Sequence, residues 1–407
     1  MRVPSIILLL LAGFAVGTWV DPDALFGNSL MPLVSLSVAI ILFEGGLELR
    51  MTELRTVGRP VFALVSVGII ITWVLATLLA RYLLDFEWSA SLIIGAILVV
   101  TGPTVVGPML RAIRPRGDSA PVLKWEGILN DAVGAVLAVL VFEAVMAGGP
   151  TVEPALIARG VLKTLAVGAV LGAIGAYLLT EALRRHIVPD NLDVLVTIGL
   201  VIGIFTLSNK LQHEAGLLAV TLMGVVLANQ RYTDVRHVIE FKENLRLLLL
   251  SVLFIILAAR IDLMAVLALG KGSLLFVAAL VFLVRPICVQ LCLIGTSLSW
   301  RDRAFISFLA PRGIVAAAIG SVFGLELVEA NMANGDELAP VIFLVITLTV
   351  LFYGFLAPVF ARKLGLAATA RNGVVLVGAE PMNRAIAHAL KKENIDILMV
   401  DSNRGHI

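Results

Sequence analysis

The chain has 407 residues, 59% of them hydrophobic and 15% charged, with a formal net charge of +2. Soluble domains carry about 25% charged residues, so most of this chain has no water to face. The absence of any basic run also excludes a nucleic-acid surface.

A membrane-crossing helix needs about 20 mostly apolar residues. Twelve stretches fit, at about 4–20, 29–47, 57–80, 89–110, 122–147, 155–181, 192–208, 214–229, 243–260, 272–297, 302–324 and 338–361. All are expected to be helices, because an open sheet cannot satisfy its backbone in lipid. The expected fold is an all-α polytopic membrane protein. The first stretch resembles a signal peptide, but the many later spans make it the first retained helix. Cys288 and Cys292 lie four apart in an apolar run and read as small apolar residues on one helix face.

The connecting loops alternate in charge. One set holds Arg50, Arg55 and Arg59, then Arg111, Arg114, Arg116 and Lys124, then Arg184 and Arg185, then Arg231, Arg236 and Lys242, then Arg301 and Arg303. The other set is poor in Lys and Arg and covers 21–28, 148–154 and 325–337. Basic loops stay inside. An even number of spans then puts both ends of this chain in the cytoplasm, as expected of a multi-pass protein of the cell (inner) membrane.

After Lys363 the composition changes. A strand at Val374–Val377, a helix near Asn383–Lys392, a strand at Ile397–Val400 and then Asp401 read as the short α/β start of a cytoplasmic domain. This segment resembles the opening of nucleotide-binding regulatory domains fused to bacterial cation transporters. It keeps one glycine, Gly378, of the GxGxxG phosphate loop, and nucleotide binding needs the others. The division expected is a membrane domain at 1–365 and an incomplete Rossmann-like domain at 372–407, with the chain cut at its C-terminus.

Three intramembrane signals carry chemistry. In the fourth span, two Gly-Pro units (Gly102-Pro103 and Gly107-Pro108) interrupt an apolar helix. Proline removes a backbone donor, and unwound backbone at membrane depth is tolerated only against protein or a cavity. In the fifth span, Glu126, Gly127, Asn130 and Asp131 sit within about one turn. A charge at a helix centre costs about 2.5–3.5 kcal/mol on insertion scales, so Asp131 must face the bundle interior or water. In the eleventh span, Pro311 and Gly313 flank Arg312. A buried cation needs a partner, and Glu126 is the expected one. Glu44 in the second span reads either as a residue lining the cytoplasmic access path or as an interfacial carboxylate paired with a loop arginine. Arg285, beside Pro286, reads as structural. The two interrupted helices, each placed late in its half of the chain, suggest inverted repeats.

Leu42-Phe-Glu-Gly-Gly-Leu47, Thr101-Gly-Pro103, Glu126-Gly-Ile-Leu-Asn-Asp131 and Pro311-Arg-Gly313 resemble the signature segments of NhaP-type cation/proton antiporters, relatives of the animal sodium/proton exchangers. The resemblance covers nearly all of residues 1–365. It implies that Asp131 binds either cation or proton, that Thr101 is a cation ligand, and that Asn130 and Glu126 form a supporting network with Arg312. It also implies a homodimer. Two departures bear on cation choice: Gly102 stands where the family often has Asp, and Gly127 where many members have Ser.

In a low-dielectric site one carboxylate is neutralised either by a proton or by a cation. Competition at Asp131 with alternating access then gives exchange without enzyme chemistry and without any cofactor. With Asn130 beside it rather than a second Asp, exchange is expected to be electroneutral, with Na+ favoured over K+. The alternative is a ligand-gated K+ efflux system or channel. The chain shows no ring-forming filter motif, and no HExxH, GxSxG or paired-Asp protease pattern of an intramembrane enzyme.

Overall fold

The computed structural model describes residues 5–147, 154–185, 187, 189, 192–212, 214–230, 236–260, 266, 269–367, 373–393 and 395–401. In chain order the membrane helices are α1 (Ser5–Gly17), α2 (Leu30–Leu47), α3 (Met51–Leu83), α4 (Trp88–Ile97), α5 (Pro103–Ile113), α6 (Ser119–Met146), α7 (Pro154–Arg184), α8 (Asp193–Leu211), α9 (Ala215–Asn229), α10 (Arg236–Ala259), α11 (Lys271–Ala279), α12 (Arg285–Cys292), α13 (Trp300–Phe308), α14 (Ile314–Glu329) and α15 (Gly335–Lys363). One-turn helices at Pro22–Phe26 and Gly27–Ser29 lead into α2.

Each of the twelve apolar stretches is helical, and among the described residues seven helices are long and apolar enough to cross a membrane. The fourth and eleventh stretches are each two shorter helices, α4 with α5 and α13 with α14, joined by five non-helical residues at 98–102 and 309–313. The tenth stretch carries a π-helical turn, Leu280–Val284, between α11 and α12. Pro286 lacks the N–H that would bond Phe282, and a local widening of the helix accommodates the loss.

α6 is the central helix. Two thirds of its most apolar stretch is buried inside the protein, against one third for α3 and α7. That contrast separates a helix wrapped by protein from helices that face outward with apolar residues such as Phe62, Ile70 and Leu162.

Loop contacts sort the connections into two ends. At one end Arg111 pairs with Glu48 at 3.2 Å, Asn229 holds Leu49 and Met51, Ser119 N donates to Asp302, and Arg116 N donates to Leu366 O at 2.7 Å. At the other end Arg260 pairs with Asp23 at 2.7 Å, and Glu87 N donates to Asn334. The basic loops that these contacts join are those grouped together by charge. Residues 148–153 and 231–235, which also enter that grouping, lie outside the described residues.

Cys288 and Cys292 are free and buried. Beyond α15, strand β1 (Gly373–Val377), helix α16 (Pro381–Lys392) and strand β2 (Asp396–Val400) form a βαβ unit whose strands pair in parallel. Asp401 accepts from Ala379 N at the end of β1.

Candidate functional site

The site is built where the two interrupted stretches meet. α4 ends at Ile97, and α5 begins with Pro103 at its first position, where a missing N–H costs nothing. The 309–313 stretch runs against 98–102, and Gly102 N donates to Pro311 O at 3.1 Å. A Cβ on Gly102 would lie 2.4 Å from Gly313 Cα, and one on Gly313 would lie 2.4 Å from Gly102 Cα. Only a glycine pair permits this backbone-to-backbone approach. The absence of an acidic residue at position 102 therefore has a steric cause in this chain.

Breaking two helices in an apolar environment frees carbonyls, and an arginine meets each set. Arg312 donates to Val99 O at 3.5 Å and Val100 O at 3.3 Å, at the end of α4. Arg285 donates to Ile306 O at 3.1 Å and Leu309 O at 3.4 Å, at the end of α13. Each guanidinium also sits at the negative end of a half-helix.

The expected pairing of Glu126 with Arg312 is corrected here. Glu126 is held by Arg285 in a two-pronged ion pair, with Nη2 donating to Oε2 at 2.8 Å and Nη1 donating to Oε1. All three residues are buried. The cause is positional. Arg285 faces α6 from α12, whereas the side chain of Arg312 is directed across the crossing at the α4 carbonyls. Arg285 thus ties α6, α12 and the break after α13 into one unit.

α6 supplies the remaining groups. Pro103 Cα lies 3.6 Å from where a Cβ on Gly127 would be, and Val100 Cα lies 3.2 Å from the corresponding point on Gly134. Asp131 falls between these two glycines, one turn from each, on the stripe that faces residues 100–103. Asp131 is 1% exposed and Asn130 5%. Asp131 Oδ1, Asn130 Oδ1, Thr101 Oγ1 and Thr104 Oγ1 are all buried without a hydrogen-bond partner. Leaving a buried polar atom unsatisfied costs about 1–3 kcal/mol, so four such oxygens around one helix break suit a ligand that accepts oxygen donors.

One carboxylate with neutral oxygens suits a hard cation of low charge. Among the described residues no cluster of three or more His, Cys, Asp or Glu could hold a metal ion. Glu44 is buried on α2 and lines a cavity of about 30 Å3 with Pro103, Thr104 and Ile128. One turn further on, Glu48 pairs with the loop arginine Arg111.

The roles of Arg285 and Thr104 go beyond what sequence reasoning assigned. Arg285 carried the same signal as Arg312, an arginine next to proline in an apolar span. Thr104 carried only its place immediately after a helix-breaking Gly-Pro.

The family profile for the transmembrane sodium/hydrogen exchangers matches residues 1–363. The chain belongs to that family. The sodium/hydrogen exchanger fold is also that of a solved structure, the sodium proton antiporter MjNhaP1 from Methanocaldococcus jannaschii at pH 8. It superposes with a TM-score of 0.77 over 89% of this chain and 92% of that one, at 23% identity. Among curated relatives, Na(+)/H(+) antiporter 1 of the same organism is 25% identical over 83% of this chain and 80% of its own length. The K(+)/H(+) antiporter NhaP of Alkalimonas amylolytica is 25% identical over 91% of this chain, and K(+)/H(+) antiporter NhaP2 of Shewanella oneidensis 25% over 77%. The chain spans 64% and 55% of the length of these last two. As a member of this exchanger family the chain is a multi-pass membrane transporter of monovalent cations and protons.

Proposed function

We propose that this protein exchanges one monovalent cation for one proton at Asp131, by alternating access and without net charge movement. The observation that carries this reading is the burial of Asp131 on α6, opposite unwound backbone lined by unsatisfied oxygens. In such a place the carboxylate needs either a proton or a cation, and both do not fit one charge. Thr101 and Asn130 supply neutral oxygen ligands. The Glu126–Arg285 pair and Arg312 hold the two breaks in position. A single carboxylate flanked by an amide carries one charge in either loaded state, which makes the exchange electroneutral.

Na+ is the favoured cation, because the relative aligned over most of both chains is a Na(+)/H(+) antiporter. The protein works in the cell membrane with its basic loops, and both ends of this chain, in the cytoplasm. It works as a homodimer, with residues 1–365 as the transport domain and 372–407 as a cytoplasmic α/β segment. The experiment is proton flux in proteoliposomes driven by Na+, K+ or Li+ gradients. Asp131→Asn abolishes cation-driven proton flux. Flux retained by this variant, or wild-type exchange that follows the membrane potential, refutes the reading. Flux that runs without saturation or counter-transport identifies a channel instead.

A further inference from the structure

We propose that a cavity at the end of the protein opposite the basic loops binds the headgroup of an amine-bearing zwitterionic phospholipid, with its phosphate on Arg260 and its ammonium on Asp336. The cavity has a volume of about 320 Å3, the size of a small-ligand site. It lies between Arg260, which follows α10, and the last turns of α14 and first turns of α15. None of its lining residues belongs to the crossing, so the inference is independent of the cation reading at Asp131.

The first observation is a guanidinium with an open edge. Arg260 Nε donates to Asp23 at 2.7 Å, and the Arg260 side chain is 9% exposed. Its Nη1 is buried without a hydrogen-bond partner. The Nη1 atoms of Arg285 and Arg312, by contrast, each meet an acceptor. Arginine carries five N–H donors in a planar fork, and Asp23 occupies one side of it. Arg260 lines the cavity, so the missing acceptor is a group that enters there. A guanidinium edge is matched in shape and charge by a phosphate.

The second observation is the charge of the lining. Asp23 offsets Arg260, and Asp336, exposed at the start of α15, leaves one surplus negative charge. The roughly half-unit positive end of α15 balances part of it. A free phosphate would enter against this balance. A zwitterion fits it, with phosphate inward at Arg260 and ammonium outward at Asp336. The carboxylate accepts from an ammonium N–H, and a quaternary amine has none to donate.

The third observation is an apolar side wall. Leu325 and Val328 of α14 line the cavity and are 53% and 48% exposed. On a membrane helix such surface meets acyl chains. The cavity thus joins a charged interior to a wall suited to lipid tails, as pockets between membrane helices that take up headgroups do. A water-soluble anion has no use for that wall.

The test uses the full chain in detergent. Its thermal-unfolding midpoint is followed against added short-chain phosphatidylethanolamine, phosphatidylcholine, phosphatidylglycerol and inorganic phosphate. A ligand of the folded state raises the midpoint in a saturable way. Phosphatidylethanolamine is expected to act at the lowest concentration. Asp336→Asn removes the charge that holds the ammonium and raises the apparent Kd for phosphatidylethanolamine about tenfold. Asp336→Lys inverts the preference, so that anionic phosphatidylglycerol binds more tightly than phosphatidylethanolamine. Arg260→Gln abolishes the saturable shift with either lipid. Should Arg260→Gln fail to fold, the two Asp336 variants carry the test, because their residue is exposed at the rim. Equal shifts with all three lipids mean general solvation of the apolar surface and overturn the proposal. An equal shift with inorganic phosphate means a site for a free anion and overturns it too. So does a phosphatidylethanolamine response that neither Asp336 variant moves.

Discussion

The pairing of Glu126 with Arg285 can be put to a quantitative test. Removing one partner of a buried ion pair costs about 3–5 kcal/mol, because the other charge is left uncompensated. Glu126→Leu is expected to lose that amount. Arg285→Met loses it too, and additionally strands the Ile306 and Leu309 carbonyls that Arg285 meets at 3.1 and 3.4 Å. At about 1–3 kcal/mol for each unsatisfied carbonyl, Arg285→Met is worse than Glu126→Leu by about 2–6 kcal/mol. The double variant removes both charges together. Exchanging a buried pair for apolar side chains is often close to neutral, so only the carbonyl loss of about 2–6 kcal/mol remains. The double variant is therefore more stable than Arg285→Met alone. Thermal unfolding in detergent, followed by size-exclusion fluorescence, reads this order directly. A matched cycle of Glu126→Leu with Arg312→Met shares no hydrogen bond and gives a much smaller coupling. A double variant less stable than Arg285→Met, or equal coupling of Glu126 to both arginines, refutes the assignment.

Two further outcomes follow from the same geometry. Gly102→Ala drives a Cβ to 2.4 Å from the Gly313 backbone and is expected to lose at least the 1–3 kcal/mol or so typical of overpacking, with exchange lost as well. Gly127→Ala meets nothing closer than 3.6 Å and gains up to about 1 kcal/mol from helix propensity; unfolding midpoints of the two variants check both. The pH dependence has a definite sign. Where proton and cation compete for Asp131, lowering the pH by one unit raises the apparent cation KM up to about tenfold while kcat at saturating cation holds, and a pH effect carried by kcat alone would contradict the competition.

Much of the fold was legible because the bilayer leaves few options. Long apolar runs must be helices, and loop charge sorts their ends. The helix breaks were also legible, since Gly102-Pro103 and Pro311-Arg312-Gly313 cannot continue a regular helix. The βαβ unit after α15 falls where the alternation of apolar strand and amphipathic helix placed it. What one sequence does not encode is the register between distant helices. Arg285 and Arg312 present the same local pattern, and choosing which one meets Glu126 requires knowing where α12 crosses α6. Sequence likewise marked Asp131 as costly to bury, but not that Gly127 and Gly134 bracket it against residues 100–103. Thr104 was passed over because a threonine in a helix ordinarily satisfies itself, and only the abrupt start of α5 removes that partner. The π-helical turn at 280–284 left no trace beyond Pro286.

The contact between Gly102 and Gly313 has a mechanical corollary. Two backbone segments that touch main chain to main chain have no side chain between them to act as a cushion. A tilt imposed on one broken span is handed to the other at its midpoint, and the hydrogen bond from Gly102 to Pro311 marks the fulcrum. With Arg312 donating across this joint to the Val99 and Val100 carbonyls, the four half-helices are tied into a single lever that lies beside Asp131 of α6.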